Sequence, residues 1–158
     1  MSINDKAMEI VRLLTEKDMT VAFAESLTGG MISAELVGVP GASSCFDGSV
    51  VSYSNEVKHR LLEVDEDVLK NYGAVSELCA KQMASGVRKL IQSDIAVSVT
   101  GIAGPSGGSD LKPVGTVYIG LAAEGVNLAK HFVFDGDRES IRRQTVEEAF
   151  NMVLQQLV

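Results

Sequence analysis

Ala24-Glu25-Ser26-Leu27-Thr28-Gly29-Gly30 divides two segments of different period. Before it, Thr20 to Phe23 alternates and then runs apolar, as a buried strand does. After it, Met31, Ile32, Leu36 and Val37 recur at helical spacing. The heptapeptide therefore reads as a strand end, a tight turn and a helix start at an edge of the core. A serine in such a turn is exposed and rigidly held. Two glycines let the backbone approach a ligand or adopt positive φ, and the free amides that open a helix attract an anion or a developing oxyanion. Ser26 is thus a candidate nucleophile. The alternative is that Ser26 and Thr28 only cap the helix, as these residue types commonly do, and the rest of the chain has to decide between the two.

Upstream, Asn4 or Asp5 is placed to cap a helix whose Ala7, Met8, Val11 and Leu14 form one face, ending near Lys17 and Asp18. Downstream, the helix after Ser26 runs to about Val37, where Gly38-Val39-Pro40-Gly41 stops it. Phe46 to Ser54 is rich in strand formers, and Ser54-Asn55 caps a helix beginning Glu56-Val57-Lys58. Asp65 to Tyr72 predicts a short helix closed by Gly73. Ser76 then caps a long one, with Leu78, Ala80, Met83, Val87, Leu90 and Ile91 as its apolar stripe. Asp94 to Val99 predicts a strand, followed by a glycine-rich loop from Thr100 to Ser109. Gly115 to Ala123 and Asn127 to Phe134 predict a hairpin, and Asp137 caps a final helix carrying Arg138, Arg142 and Arg143. Alternating helices and strands predict a single three-layer α/β/α domain over 1–158, with a mixed, mainly parallel sheet that turns antiparallel at the hairpin.

At 158 residues the chain can bury a full core, and 46% hydrophobic with 22% charged residues is a globular composition. Fourteen Lys and Arg against 21 Asp and Glu give a net charge of −7 with no basic run, which disfavours a nucleic-acid backbone as partner. A local basic pocket for one small anion stays compatible with that charge. Cys45 and Cys79 are far apart and form no Cys-x-x-Cys pair, so neither a disulfide framework nor a zinc site is suggested. No signal-peptide pattern and no membrane-length apolar run occurs, and the expected location is the cytoplasm.

Neither Gly-x-Gly-x-x-Gly nor the phosphate-loop motif is present, so the glycine-rich loop implies no dinucleotide or ATP chemistry, and a plain surface connection is its other reading. His59 and His131 lack a second metal-ligating residue at recognisable spacing, so no metal is expected. Serine chemistry needs a base. A Ser-His-Asp triad stays open, although no Gly-x-Ser-x-Gly elbow exists. The other option is a lysine kept neutral by burial. Lys58, beginning a helix after Tyr53-Ser54-Asn55, is the candidate with hydroxyl and amide partners nearby.

Several strings in this chain occur together in one order: the heptapeptide 24–30, Tyr53-Ser-Asn-x-x-Lys58, Gly73-Ala-Val-Ser76, Thr100-Gly-Ile-Ala-Gly-Pro105 with Gly107-Gly108, Lys112-Pro-Val-Gly-Thr116, and Gly136-Asp-Arg138 with Ile141-Arg142. In that order and spacing the chain resembles the CinA C-terminal domain family, the nicotinamide-mononucleotide deamidases, over nearly its whole length. The resemblance implies hydrolysis of the carboxamide of nicotinamide mononucleotide to nicotinic acid mononucleotide and ammonia, without a cofactor. By motif it implies Ser26 as nucleophile, Lys58 as base and Tyr53 as an assisting hydroxyl. Thr28, Gly29 and Gly30 would hold the oxyanion. Asn55 would lie at the substrate site, and Thr100, Gly101, Ala103 and Gly104 would wrap the nucleotide. Arg138 would bind the phosphate, with Arg142 helping or pairing with an acid. Leu27 stands where the family usually has cysteine. The resemblance also implies a nucleotide as the small-molecule partner and a homo-oligomer, with neither nucleic acid nor membrane. Two other functions remain to weigh against it: a non-catalytic sensor of pyridine mononucleotides, and a structural partner for a DNA-uptake or repair protein.

Overall fold

The computed structural model describes all residues from 1 to 158. Five strands form one sheet in the order β2-β1-β3-β4-β5: β1 Val21–Glu25, β2 Val50–Val51, β3 Ile95–Gly101, β4 Thr116–Ala123 and β5 Val126–Val133. β1 pairs in parallel with β2 and β3, whereas β3 with β4 and β4 with β5 are antiparallel. Four strands thus run one way and β4 alone runs against them. The sheet is mixed, as the hairpin predicts.

Six helices cover it: α1 Ile3–Lys17, α2 Met31–Val37, α3 Asn55–Leu62, α4 Glu66–Asn71, α5 Glu77–Ile91 and α6 Arg138–Leu157. Side chains alternate across a strand, so β1 sends Val21 and Phe23 to one face and Ala22 and Ala24 to the other. The first pair joins a core of 27 buried residues from α1, α2, α6 and the sheet, centred on Phe23, Phe150 and Ile119. The alanines meet a smaller cluster with Leu62, Val68, Cys79, Met83 and Val87 from α3, α4 and α5. Small residues let helices sit close here. A Cβ on Gly86 would stand 1.9 Å from the Leu62 carbonyl oxygen, so α5 packs backbone to backbone against the end of α3.

Several boundaries differ from the sequence reading for local reasons. Ser2, not Asn4 or Asp5, caps α1, and Asp5 completes a reciprocal capping box with it. The strand expected over 46–54 shrinks to Val50–Val51 plus a bridge from Phe46 to Val21, because only there does the segment meet β1. In α5, Leu78 and Leu90 face solvent, while Cys79, Ala80, Met83, Ala84 and Val87 form the buried stripe.

Candidate active site

β1, β2 and β3 all end at one edge of the sheet, and the chain leaves that edge through the Ser26 turn, the Ser52 to Ser54 connection and the glycine-rich loop. Ser26 is 7% exposed and Lys58 only 1%. Ser54 caps α3 by accepting from the Val57 amide, which sets Lys58 one turn into the helix and facing inward. The Lys58 Nζ lies 2.9 Å from Ser26 Oγ, 2.8 Å from the Ser52 carbonyl and 3.1 Å from the Tyr53 carbonyl. These three contacts define its chemistry. A neutral amine has two hydrogens and one lone pair. With both hydrogens on the two carbonyls, the lone pair faces Ser26 Oγ, the arrangement a general base requires.

Burial favours the neutral form, holding the Lys58 pKa below its ordinary range by penalising the charged amine. Ionisation of the nearby Cys79 thiol would oppose this. That thiol is itself pushed up to about 11 by burial, partly offset by Lys58 and Lys112, so it stays protonated at neutral pH.

The turn after Ser26 is held from two sides. Glu25, fully buried at the end of β1, accepts from Thr28 Oγ1 at 2.6 Å and the Ile32 amide at 2.9 Å through one oxygen. Its other oxygen accepts from the Ser33 amide at 3.0 Å and Ser33 Oγ at 2.6 Å. From α6, Arg142 donates to the carbonyls of Leu27 at 2.8 Å and Thr28 at 3.1 Å. Gly29 and Gly30 have φ of 58° and 107°, in the left-handed region that glycine adopts most readily. The Ser26, Gly29 and Met31 amides donate to Val99, Ser26 and Thr28 carbonyls. The amides of Leu27, Thr28 and Gly30 donate to nothing in the molecule, although Leu27 and Thr28 are buried. Orphaned buried amides are rare, and these lie beside the serine that faces Lys58.

The other expected residues divide by what they touch. Tyr53 reaches the site through its carbonyl; the residue is 64% exposed and its hydroxyl makes no hydrogen bond. Asn55 is exposed at the first position of α3. Thr100 is buried and spends its hydroxyl on the Ala74 carbonyl, Gly101 closes β3 against Val117, and Ala103 packs in the core. Arg138 Nη1 donates to the Gly104 carbonyl at 2.7 Å, bringing the head of α6 to the loop. Arg142 has no acidic partner, and its Nε and Nη2 hold the turn. Lys112, not singled out as a site residue by the sequence reading, donates to the Tyr72 carbonyl at 2.6 Å. None of Lys58, Lys112, Arg138 and Arg142 takes part in the ion pairs of the structure. In a chain of net charge −7, three cations bonded only to uncharged groups, Lys112, Arg138 and Arg142, gather at the sheet edge where the buried Lys58 amine also lies. Glu25 was also missed, although a carboxylate closing an apolar strand is a visible signal.

Fold and site together define an α/β domain with a buried serine–lysine pair at the carboxyl ends of its parallel strands. The chain belongs to the CinA C-terminal domain family, whose model matches residues 3–157. It is 52% identical over 145 residues to a CinA-like protein of Thermotoga neapolitana, covering 90% of this chain and 35% of that protein. A CinA-like protein of Petrotoga mobilis is 49% identical over 154 residues, 96% of this chain and 38% of its own length. The chain therefore spans a little over a third of these relatives. Among solved structures, the competence damage-inducible protein A of Klebsiella pneumoniae superposes with a TM-score of 0.96 at 34% identity, over 99% of this chain and 98% of that one. The competence/damage inducible protein of Agrobacterium tumefaciens gives 0.94 at 38% identity, over 97% and 94%. No helix is long and apolar enough to cross a membrane.

Proposed function

We propose that this domain hydrolyses the carboxamide of nicotinamide mononucleotide to nicotinic acid mononucleotide and ammonia. The observation that carries the proposal is the 2.9 Å approach of Lys58 Nζ to Ser26 Oγ, with the two remaining amine hydrogens taken up by carbonyls. Lys58 accepts the serine proton as Oγ attacks the amide carbon, and the tetrahedral oxyanion forms against the unpaired amides of Leu27, Thr28 and Gly30. Each such donor is worth about 2.7–4 kcal/mol in comparable sites. The Gly29 amide, expected to share this role, is occupied by the Ser26 carbonyl, and Leu27 takes its place in the donor set. Lys58 then returns its proton to the amide nitrogen, the C–N bond breaks and ammonia leaves. Water, deprotonated by the same amine, cleaves the acyl-serine ester and restores Ser26.

The unpaired cations support an anionic substrate, and Arg138 keeps donors free for its phosphate after bonding Gly104. The test is ammonia and nicotinic acid mononucleotide release from nicotinamide mononucleotide, by wild type and Ser26→Ala, with a chelator present. Wild-type turnover that disappears in the variant, at unchanged substrate binding, is expected. A folded wild type that binds the nucleotide without turning it over overturns the reading in favour of a sensor.

A further inference from the structure

We propose that Glu25 is a positioning residue for the reaction of Ser26, one that sets the oxyanion-accepting amides in place before any substrate arrives. The inference rests on the amidohydrolase reading for its substrate, but not for its geometry. A buried carboxylate away from a cation is costly unless its lone pairs are filled. Glu25 has four donors on its two oxygens and no cationic partner. Its worth therefore lies in what it holds.

It holds the first turn of α2. Gly30, the residue preceding that helix, provides no side-chain cap, so the early amides of α2 lack the usual partner. Glu25 fills this role from the strand side, taking the amides of Ile32 and Ser33 that would otherwise compete for an incoming anion. The remaining unpaired donors are those beside Ser26. Through Thr28 Oγ1 it fixes the residue whose own amide is one of them. Arg142 holds the other end of the turn, by the carbonyls of Leu27 and Thr28. The Leu27 carbonyl it binds shares a peptide unit with the Thr28 amide, so the guanidinium also strengthens that donor. The turn is thus bracketed by a carboxylate on its donors and a guanidinium on its acceptors.

The test measures how fast an alkyl fluorophosphonate labels Ser26, with Ser26→Ala as blank. In that reaction a bond forms from Oγ to phosphorus, the P–F bond breaks, fluoride leaves and Lys58 takes the proton. Negative charge develops on the phosphonyl oxygen, so the rate reads the amides directly without requiring nicotinamide mononucleotide. Glu25→Gln keeps the shape but sets a donating amide NH2 against the donors that one carboxylate oxygen accepted from. It is expected to label at a tenth of the wild-type rate or less, with the pH midpoint of labelling, set by Lys58, unmoved. A folded Glu25→Gln labelled within twofold of wild type overturns the proposal. If Glu25→Gln does not fold, Ser33→Ala, which removes one of the four donors, is expected to slow labelling about threefold, and an unchanged rate overturns it. A wild type that is not labelled at all also overturns it. Labelling of the wild type without turnover of nicotinamide mononucleotide sinks the amidohydrolase reading alone and leaves the Glu25 comparison intact.

Discussion

Two glycine-rich junctions leave the same edge of the sheet, one after β1 and one after β3, and they are built differently. In the turn from Glu25 to Ser33 the side chains of Glu25 and Arg142 fix the backbone from both sides, while the amides of Leu27, Thr28 and Gly30 stay unpaired. In the loop from Ile102 to Gly115, residues 105–111 are exposed and side chains hold it mainly by two cations on carbonyls, Arg138 on Gly104 and Lys112 on Tyr72. Its base is pinned by the paired bonds of Ile102 and Gly115. Covalent chemistry tolerates little displacement of reacting groups, and the rigid junction is the one that carries Ser26. Ligand recognition tolerates and often uses a mobile cover. The contrast predicts that substitutions on the first junction act on kcat and those on the second on KM.

Lys58→Met should produce the largest effect. With the base removed and the buried volume roughly kept, turnover of nicotinamide mononucleotide should fall about a thousandfold or more, while substrate binding persists. The same variant tests the protonation argument. Because burial lowers the folded pKa of Lys58 beneath its ordinary 10.5, the unfolded chain binds more protons than the folded one between those two values. Wild-type stability should therefore fall as pH falls through that window, and Lys58→Met should lose this slope. From about a pH unit below the ordinary thiol value of 9.0 downward, Cys79 is protonated in both states and does not interfere. Denaturant melts of both proteins over the alkaline range check it; equal slopes would mean that Lys58 is charged in the folded protein.

The legibility of the site in the sequence follows the same division. The change of period at 24–30 placed Ser26 at a strand-to-helix turn, and Ser54, Ser76 and Asp137 announced three helix starts that hold. Local spacing also made Lys58 a candidate, but its distance to Ser26 spans 32 positions and is a tertiary fact. What spacing cannot reveal is which polar groups are already taken. Arg142, read as helping at the phosphate or pairing with an acid, has no acidic partner and spends two of its five N–H donors on the Leu27 and Thr28 carbonyls, and the Thr100 hydroxyl proves to be tied to Ala74. Tyr53 enters by its backbone, a role no side-chain motif encodes. The exposed Leu78 and Leu90 illustrate the same limit in packing, since periodicity defines an apolar face only to within a residue or two of its edge.

On the loop junction, Arg138→Ala should raise KM for nicotinamide mononucleotide about 10- to 100-fold, the range of one or two charge-assisted hydrogen bonds to phosphate. Its kcat should stay within about threefold, because Arg138 touches the Gly104 carbonyl and not the Ser26 turn. The riboside, which lacks the phosphate, sharpens the test: its weaker kinetics should be nearly indifferent to the substitution. A fall in kcat without a change in KM would place Arg138 with the rigid junction and dissolve the contrast.

The smallest effect on activity is expected at a residue next to the nucleophile. Leu27 is 4% exposed and belongs to the large core, so its side chain points away from the edge where its unpaired amide is needed. Leu27→Cys removes buried carbon and should cost about 1–3 kcal/mol of stability through lost packing and a small void. Turnover should stay within about threefold, since the backbone donor and the Arg142 bond to the Leu27 carbonyl are retained. A thermal melt and steady-state kinetics on one preparation separate the two effects. A rise in kcat of tenfold or more, with the melt unaffected, would mean that the side chain at 27 takes part in the reaction. The turn would then contribute chemistry through its side chains as well as its backbone, and the division between a rigid catalytic junction and an adaptable binding one would have to be redrawn around that position.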